Sequence, residues 1–221
     1  MPPIRAVIFD MDGLMFNTEE VYTEVGSRLL RRRGREFTTE IKNLMMGLQA
    51  HQGFELVIET LGLNDTVEQL MEESDREYLA IVGQLIRPMP GLVELLAALE
   101  AAGIPKAIAT STSLRLATAC LTPFDFQRRF TFVLTAEDIR KGKPDPEIYR
   151  TAAARMDVPP EEMLVLEDSQ NGCRAASAAG AFTVAVPADH SRDHDFSGAA
   201  MIVDGLDDPR LYAALGLDNR C

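Results

Sequence analysis

The stretch IRAVIFDMDG at residues 4–13 decides the fold, because an apolar run, Ile4–Phe9, leads directly into Asp10 and Asp12. A short continuous apolar run is typical of a strand that is buried on both faces of a parallel sheet. Residues two apart share a strand face, and a chain that curls at Gly13 can bring both carboxylates together above the sheet edge. The stretch therefore predicts an aspartate nucleophile beside an aspartate that acts as acid and base, with a cation to offset their repulsion.

Composition is that of an ordinary globular protein. The 221 residues are 46% hydrophobic and 25% charged, which suffices for one domain with a sizeable core and a smaller inserted module. No apolar run approaches the roughly 18 residues of a membrane-spanning helix, and the first residues lack the pattern of a secretory signal. We therefore expect a cytoplasmic protein. Three widely spaced cysteines, Cys120, Cys173 and Cys221, argue against a disulfide framework or a thiolate metal cluster.

The charge balance argues against a nucleic-acid surface, since the formal net charge is −12. The exception is the segment Arg28–Arg35, which holds five arginines in eight residues. Its ordinary interpretation is the solvated end of a helix that screens neighbouring acidic side chains. A contact with a polyanion is the alternative.

Strand-like and helical runs alternate along most of the chain, which predicts an α/β fold with a parallel sheet covered by helices. Residues 17–87 interrupt the alternation with no convincing strand and with helical stretches predicted at Thr18–Gly34, Thr39–Met46, Ala50–Leu61 and Val67–Leu85. We interpret them as an inserted α-helical cap that ends at the turn of residues 88–91, and residues 1–16 and 88–221 as the catalytic core. After the cap, strands are predicted at Pro105–Ala109, Phe130–Leu134, Met163–Leu166, Phe182–Val186 and Met201–Val203, and helices at Leu92–Ala102, after Ser113, at Pro146–Met156 and at Asn171–Ala179.

Polar residues follow two of these later strands at positions where they can bind phosphate. Thr110 and Ser111 place hydroxyls and backbone N–H groups between a strand and a helix, where such groups hold phosphate oxygens. Lys143 carries an ammonium on a turn that Pro144 stiffens, and Lys141 is the alternative phosphate contact.

Glu167 and Asp168 end another predicted strand with hard oxygen ligands of the kind that Mg²⁺ prefers. A second group, His190 and His194, is also spaced like a set of metal ligands. Its surroundings, residues 188–198, are polar and turn-like, so we expect an exposed loop there instead.

The ordered motifs resemble those of the haloacid-dehalogenase-like hydrolase superfamily across nearly the full length of the chain. The resemblance implies a Rossmann-like, doubly wound parallel sheet with the cap inserted after the first motif. It further implies a bound Mg²⁺ as the cofactor. The resemblance implies that Asp10 is the nucleophile and that Asp12 is the general acid and base. It implies that Thr110, Ser111 and the catalytic Lys143 bind the phosphate. It implies that the metal is bound by Asp10, the Asp12 carbonyl and Asp168, with Glu167 supporting the ion directly or indirectly.

The reaction that the resemblance implies is hydrolysis of a small phosphomonoester through an aspartyl-phosphate on Asp10. The substrate would be a sugar phosphate, a nucleoside monophosphate or a polyol phosphate. A sugar phosphate mutase of the beta-phosphoglucomutase type is the alternative. In those mutases a cap histidine and a cap arginine handle the second phosphate, whereas Tyr22 and Ala50 stand at the aligned positions here, so the phosphatase is favoured.

We expect the cap to determine substrate specificity, and Thr18, Tyr22 and Gly47 are the candidates to face the substrate. Gly47 is included because the turn of residues 46–48 resembles the substrate loop of the family. Ordinary packing within the cap is the alternative for each of them. We expect a small phosphorylated metabolite as partner, no nucleic acid, no membrane, and a monomer or weak dimer.

Overall fold

The computed structural model describes residues 3–45, 48 and 50–217. The chain divides into two compact units, Met1–Asn17 with Arg87–Cys221, called here the core unit, and Thr18–Ile86, called the cap unit. No helix within the described ranges is long and apolar enough to cross a bilayer. In chain order the elements are β1 Ala6–Phe9, α1 Thr18–Arg31, α2 Thr39–Met45, α3 Ala50–Leu61, α4 Val67–Leu85, α5 Leu92–Ala101, β2 Lys106–Ala109, α6 Leu114–Leu121, β3 Val133–Leu134, α7 Glu147–Met156, β4 Met163–Glu167, α8 Gln170–Ala179, β5 Phe182–Ala185, β6 Met201–Ile202 and α9 Pro209–Ala214.

The core unit is built on one parallel sheet, whose strands within the described residues run in the order β3-β2-β1-β4-β5-β6. Phe9 of β1 is in register with Ile108 of β2 and Leu166 of β4, so these three strands end side by side. Strand order reverses at β1, and the crevice outside the carboxyl ends at such a point is where α/β sheets bind ligands. The α/β prediction is confirmed.

Burial explains why the strand sequences are continuous apolar runs. All four residues of β1 and all five of β4 are buried, because helices cover both faces of a parallel sheet. On one face Ile8 and Val165 pack against Ile148 of α7 and Ala176 of α8. Each large aliphatic side chain buried in this way stabilises the fold by about 1.5–3 kcal/mol.

Helix α8 is bounded by signals that its sequence carries. Ser169 caps its start by accepting a hydrogen bond from the backbone N–H of Gly172 at 3.1 Å. The helix ends at Gly180, whose φ of 91° is a left-handed conformation that glycine adopts without a steric penalty. These caps fix the helix directly after Asp168.

The cap unit contains α1 to α4, and ion pairs within this unit account for part of the arginine-rich segment. Arg32 donates to Glu73 and Glu77, each at 2.7 Å, while Arg33 donates to Asp65 at 2.7 Å and to Glu73 at 2.6 Å. Hydrogen bonds from Arg33 hold the pKa values of Asp65 and Glu73 below their usual range. Arg32 and Arg33 therefore neutralise acidic side chains of the cap itself, as the screening interpretation expected.

Several boundaries differ from the sequence prediction. β3 covers Val133–Leu134 and not the five residues from Phe130, because the chain bends at residues 130 and 131 after the 3-10 turn Phe126–Arg129. α1 ends at Arg31, and Gly34 follows with a φ of 67°. The predicted helices also lack α9, a six-residue helix too short to show a clear hydrophobic period.

Candidate active site

Lys143 lies at the centre of the predicted residues, at the carboxyl ends of β1, β2 and β4. Its Nζ is 2.5 Å from Asp10 Oδ1 and 2.6 Å from Glu167 Oε1, and it donates to the carbonyl oxygen of Ala109 at 3.1 Å. These three acceptors match the three protons of an ammonium. Lys141, the alternative, is 73% exposed and pairs with Asp145. The structure therefore brings Lys143, and not Lys141, to the candidate site.

The electrostatics of this cluster are dominated by burial. Burial disfavours the charge on Lys143, but attraction to Asp10 and Glu167 more than offsets it and raises the pKa of Lys143 well above its usual value. Burial also raises the pKa of Asp10; Lys143 opposes that rise, whereas the nearby carboxylates of Glu167 and Asp168 add to it. One ammonium among several carboxylates leaves an excess of negative charge that a bound cation would neutralise.

Glu167 is fully buried, and both of its oxygens are engaged. Besides Lys143, the hydroxyl of Tyr149 donates to Oε1 at 2.5 Å, and the hydroxyl of Ser169 donates to Oε2 at 3.0 Å. Gly172 leaves the space for this carboxylate, since a Cβ there would lie 1.8 Å from Oε1. Glu167 is thus placed to orient Lys143. No sequence pattern marks Tyr149 as a site residue, because its position on α7 is typical of ordinary apolar packing.

Asp12 is held by hydroxyls from the segment after β2. Thr110 Oγ1 donates to Asp12 Oδ2 at 3.0 Å, and Thr112 Oγ1 donates to the same oxygen at 2.6 Å. Thr110 is fully buried and also accepts from the N–H of Thr112 at 3.0 Å, whereas Ser111 between them is exposed. Sequence reasoning missed Thr112. The period of two in an extended chain could have found it, because residues 110 and 112 share a face.

Asp168 meets a residue that we expected on an exposed loop. His190 Nε2 lies 2.7 Å from Asp168 Oδ2, and the His190 side chain is only 16% exposed. The expectation of an exposed loop was therefore wrong for His190, because the segment after β5 folds back over the sheet edge. Burial raises the pKa of Asp168 to about 6, and the hydrogen bond with His190 opposes that rise.

The donor set at this edge fits the predicted cation. Asp10, Glu167 and Asp168 are all buried and bring carboxylate oxygens within 4.8 Å of one another. Carboxylate oxygens are hard ligands that suit Mg²⁺, Ca²⁺ or Mn²⁺ better than softer metals. The site can therefore hold a divalent cation beside Asp10.

Two of the three cap candidates lie in packed positions of the cap unit. Thr18 is fully buried at the start of α1. Tyr22 packs against Tyr78 in a tilted arrangement with ring centroids 4.8 Å apart, and it lines a cavity of about 330 Å³ together with Lys42 and Phe54. Gly47 lies outside the described residues.

The chain is similar to known proteins in both sequence and structure. The family model described as haloacid dehalogenase-like hydrolase matches residues 7–186. A phosphorylated carbohydrates phosphatase from Thermotoga maritima is 34% identical over 177 residues, covering 80% of this chain and 82% of the relative. A probable pseudouridine-5′-phosphatase from Drosophila melanogaster is 34% identical over 216 residues, covering 91% and 89%.

The chain is also similar to a mutase and to a solved structure. A beta-phosphoglucomutase from Bacillus subtilis is 29% identical over 190 residues, covering 83% of each chain. The crystal structure of CbbY from Rhodobacter sphaeroides in complex with phosphate superposes with a TM-score of 0.83 at 28% identity, covering 97% of this chain and 100% of the other.

Proposed function

The chain belongs to the haloacid dehalogenase-like hydrolase family, and on that premise we propose that it is a Mg²⁺-dependent phosphatase that hydrolyses a small phosphomonoester through an aspartyl-phosphate on Asp10. The observation that carries the proposal is the buried Lys143 ammonium, 2.5 Å from Asp10 and beside the carboxylate cluster. Relatives named as phosphatases of phosphorylated carbohydrates and of pseudouridine 5′-phosphate support a sugar phosphate or a nucleoside monophosphate as substrate.

Substrate binding follows from the charges at the sheet edge. Lys143 neutralises one non-bridging oxygen of the phosphate, and the exposed hydroxyl of Ser111 donates to another. Asp10, the Asp12 carbonyl and Asp168 would hold Mg²⁺, which when bound offsets the repulsion between the phosphate dianion and the carboxylates. We assign Glu167 to the support of Lys143, since its oxygens already accept hydrogen bonds from Lys143, Tyr149 and Ser169.

In the chemical steps, Asp10 forms the bond to phosphorus and Asp12 transfers the protons. A carboxylate oxygen of Asp10 forms a bond to phosphorus as the bond from phosphorus to the leaving oxygen breaks. Asp12 donates a proton to that leaving oxygen and later takes one from the water that hydrolyses the aspartyl-phosphate. Hydrogen bonds from Thr110 and Thr112 to Asp12 Oδ2 hold the carboxyl group in place for both transfers. In this assignment Thr110 positions Asp12, and Ser111 keeps the phosphate-binding role.

The test is phosphate release by the purified protein with Mg²⁺ from sugar phosphates, nucleoside monophosphates, pseudouridine 5′-phosphate and glycerol 3-phosphate. We expect release that Asp10→Asn abolishes and that chelation of Mg²⁺ removes. The matched control is Asp145→Asn, which changes a carboxylate that pairs with the exposed Lys141. Release that is equal in wild type and Asp10→Asn would contradict the proposal.

A sugar phosphate mutase remains the second candidate because the Bacillus subtilis beta-phosphoglucomutase is a relative of the chain. Two features favour the phosphatase: residues 44–62 contain no lysine or arginine for a second phosphate, and Tyr22 packs on Tyr78. Incubation with beta-glucose 1-phosphate and a bisphosphate primer separates the two activities. The phosphatase predicts phosphate release, and conversion to glucose 6-phosphate without release would establish the mutase.

A further inference from the structure

His190 is a partly buried polar group at the site that the proposed chemical steps do not use. Its Nε2 is 2.7 Å from Asp168 Oδ2. Within the described residues, the group of acidic, histidine and cysteine side chains that could share a metal ion comprises Asp10, Glu167 and Asp168, and His190 is not in it. The imidazole therefore reaches the cluster through Asp168.

The segment that carries His190 is fixed to the core by hydrogen bonds on both sides of the histidine. Before it, the N–H of Val186 donates to the carbonyl of Glu167 at 2.7 Å. Within the segment, the N–H of Ala188 donates to Ser191 Oγ at 3.1 Å and closes the turn that carries His190. After it, the N–H of Asp195 donates to the side-chain oxygen of Gln170 at 2.9 Å. Ser191 is fully buried. These bonds hold the imidazole in one place against Asp168.

Gly13 provides the space in which the two side chains meet. Its φ is 77°, and a Cβ at this position would lie 2.4 Å from Asp168 Oδ2 and 2.7 Å from His190 Cε1. Any residue with a side chain would therefore displace Asp168, His190 or both. The turn after Asp12 and the segment after β5 are thus both shaped around this contact.

We propose that His190 is a positioning residue for the metal ligand Asp168, donating its Nε2 hydrogen to Oδ2 and leaving the other carboxylate oxygen for the cation. An ionised carboxylate only accepts hydrogen bonds, so Nε2 carries the proton. Carboxylates that bind metals are commonly oriented by such partners, whose loss typically lowers metal affinity about 10–100-fold. The inference rests on the proposed function in taking the cation to be divalent and Asp168 to be one of its ligands.

The experiment measures metal binding without substrate, by the loss of the electron paramagnetic resonance signal of free Mn²⁺ and its recovery on competition with Mg²⁺. We expect His190→Ala to weaken Mn²⁺ binding about 10–100-fold. His190→Phe keeps a ring and lacks the donor, so it should weaken binding to the same extent. His190→Gln keeps an N–H donor and should bind within a few-fold of wild type. The control Arg192→Ala changes an exposed side chain of the same segment and should leave affinity unchanged.

Two outcomes would overturn the inference. Wild-type affinity in folded His190→Ala or folded His190→Phe would show that the hydrogen bond does not orient the ligand. Loss in His190→Gln as large as in the other two would show that the imidazole itself is required, as expected of a direct metal ligand. Because no substrate is present, a protein that binds metal as expected but releases no phosphate would refute the proposed function and leave this inference standing.

Discussion

Replacing Gly172 by alanine tests the arrangement around Glu167. Gly172 lies in α8, and at an ordinary helix position alanine is more stable than glycine by about 0.5–1 kcal/mol. Here an added Cβ would lie 1.8 Å from Glu167 Oε1 and 1.9 Å from its Cδ, far inside van der Waals contact. The carboxylate must move, and its hydrogen bonds from Lys143 and Tyr149 must break or lengthen.

The size of the effect follows from the ion pair that is lost. Lys143 Nζ and Glu167 Oε1 are 2.6 Å apart, and their side chains are 7% and 0% exposed. Breaking a buried ion pair costs about 3–5 kcal/mol. The higher helix propensity of alanine offsets a small part of this cost, and Asp10 still pairs with the Lys143 ammonium. We therefore expect the free energy of unfolding to fall by about 2–4 kcal/mol. For a chain of this length that corresponds to a melting temperature lower by roughly 5–15 °C.

The assay is differential scanning calorimetry, with phosphate release measured on the same samples. Gly83→Ala is the matched control, because Gly83 lies in α4 and a Cβ there meets no atom of the described structure within 4 Å. We expect the control to gain about 0.5–1 kcal/mol while Gly172→Ala loses stability and activity together. A Gly172→Ala protein that melts at or above the wild-type temperature with full activity would refute the reasoning.

Two further substitutions test single hydrogen bonds of the core unit. Asp208 caps the start of α9, and its carboxylate accepts hydrogen bonds from the N–H groups of Asp204 and Arg210. Asp208→Ala removes this cap and should lower the free energy of unfolding, measured in urea at neutral pH, by about 1 kcal/mol. Hydrogen bonds from Arg210 hold the pKa of Asp208 below its usual value, so this stabilisation is present above the unfolded-state pKa of about 3.9 and is lost as pH falls through the lower folded-state pKa. The difference from wild type should therefore shrink in acid, and a difference independent of pH would count against the assignment. Tyr149→Phe removes the hydroxyl that donates to Glu167 at 2.5 Å and should cost about 1–3 kcal/mol in the same urea assay, whereas an unchanged free energy would show that the bond adds nothing.

The sequence predicted the sheet and one edge of the site because both depend on local signals. Strands buried on two faces read as apolar runs, and the first polar residues after them mark the carboxyl edge. Asp10 after β1, Thr110 after β2 and Glu167 at the end of β4 all fit this rule. Register then brings these positions together without further information, since β1 pairs with both β2 and β4.

What the sequence did not predict depends on contacts between distant segments. His190 stands in a polar run that is typical of an exposed loop, and only the fold shows that the segment returns to Asp168. The sequence around Tyr149 is typical of a core residue of α7, and only the structure shows that its hydroxyl lies beside Glu167. Gly13 and Gly172 look alike in sequence, yet each is needed because a particular carboxylate occupies the space of its missing side chain.

The most direct test of the central claim is whether Asp10 carries a phosphoryl group during turnover. The protein would be mixed with a substrate found in the phosphate-release panel, quenched in acid within milliseconds and digested for mass spectrometry. The account predicts that the peptide containing Asp10 gains the mass of one phosphoryl group and that Asp10→Asn shows no such gain. Full-rate phosphate release with no phosphoryl group on Asp10, or with one on a different residue, would contradict it.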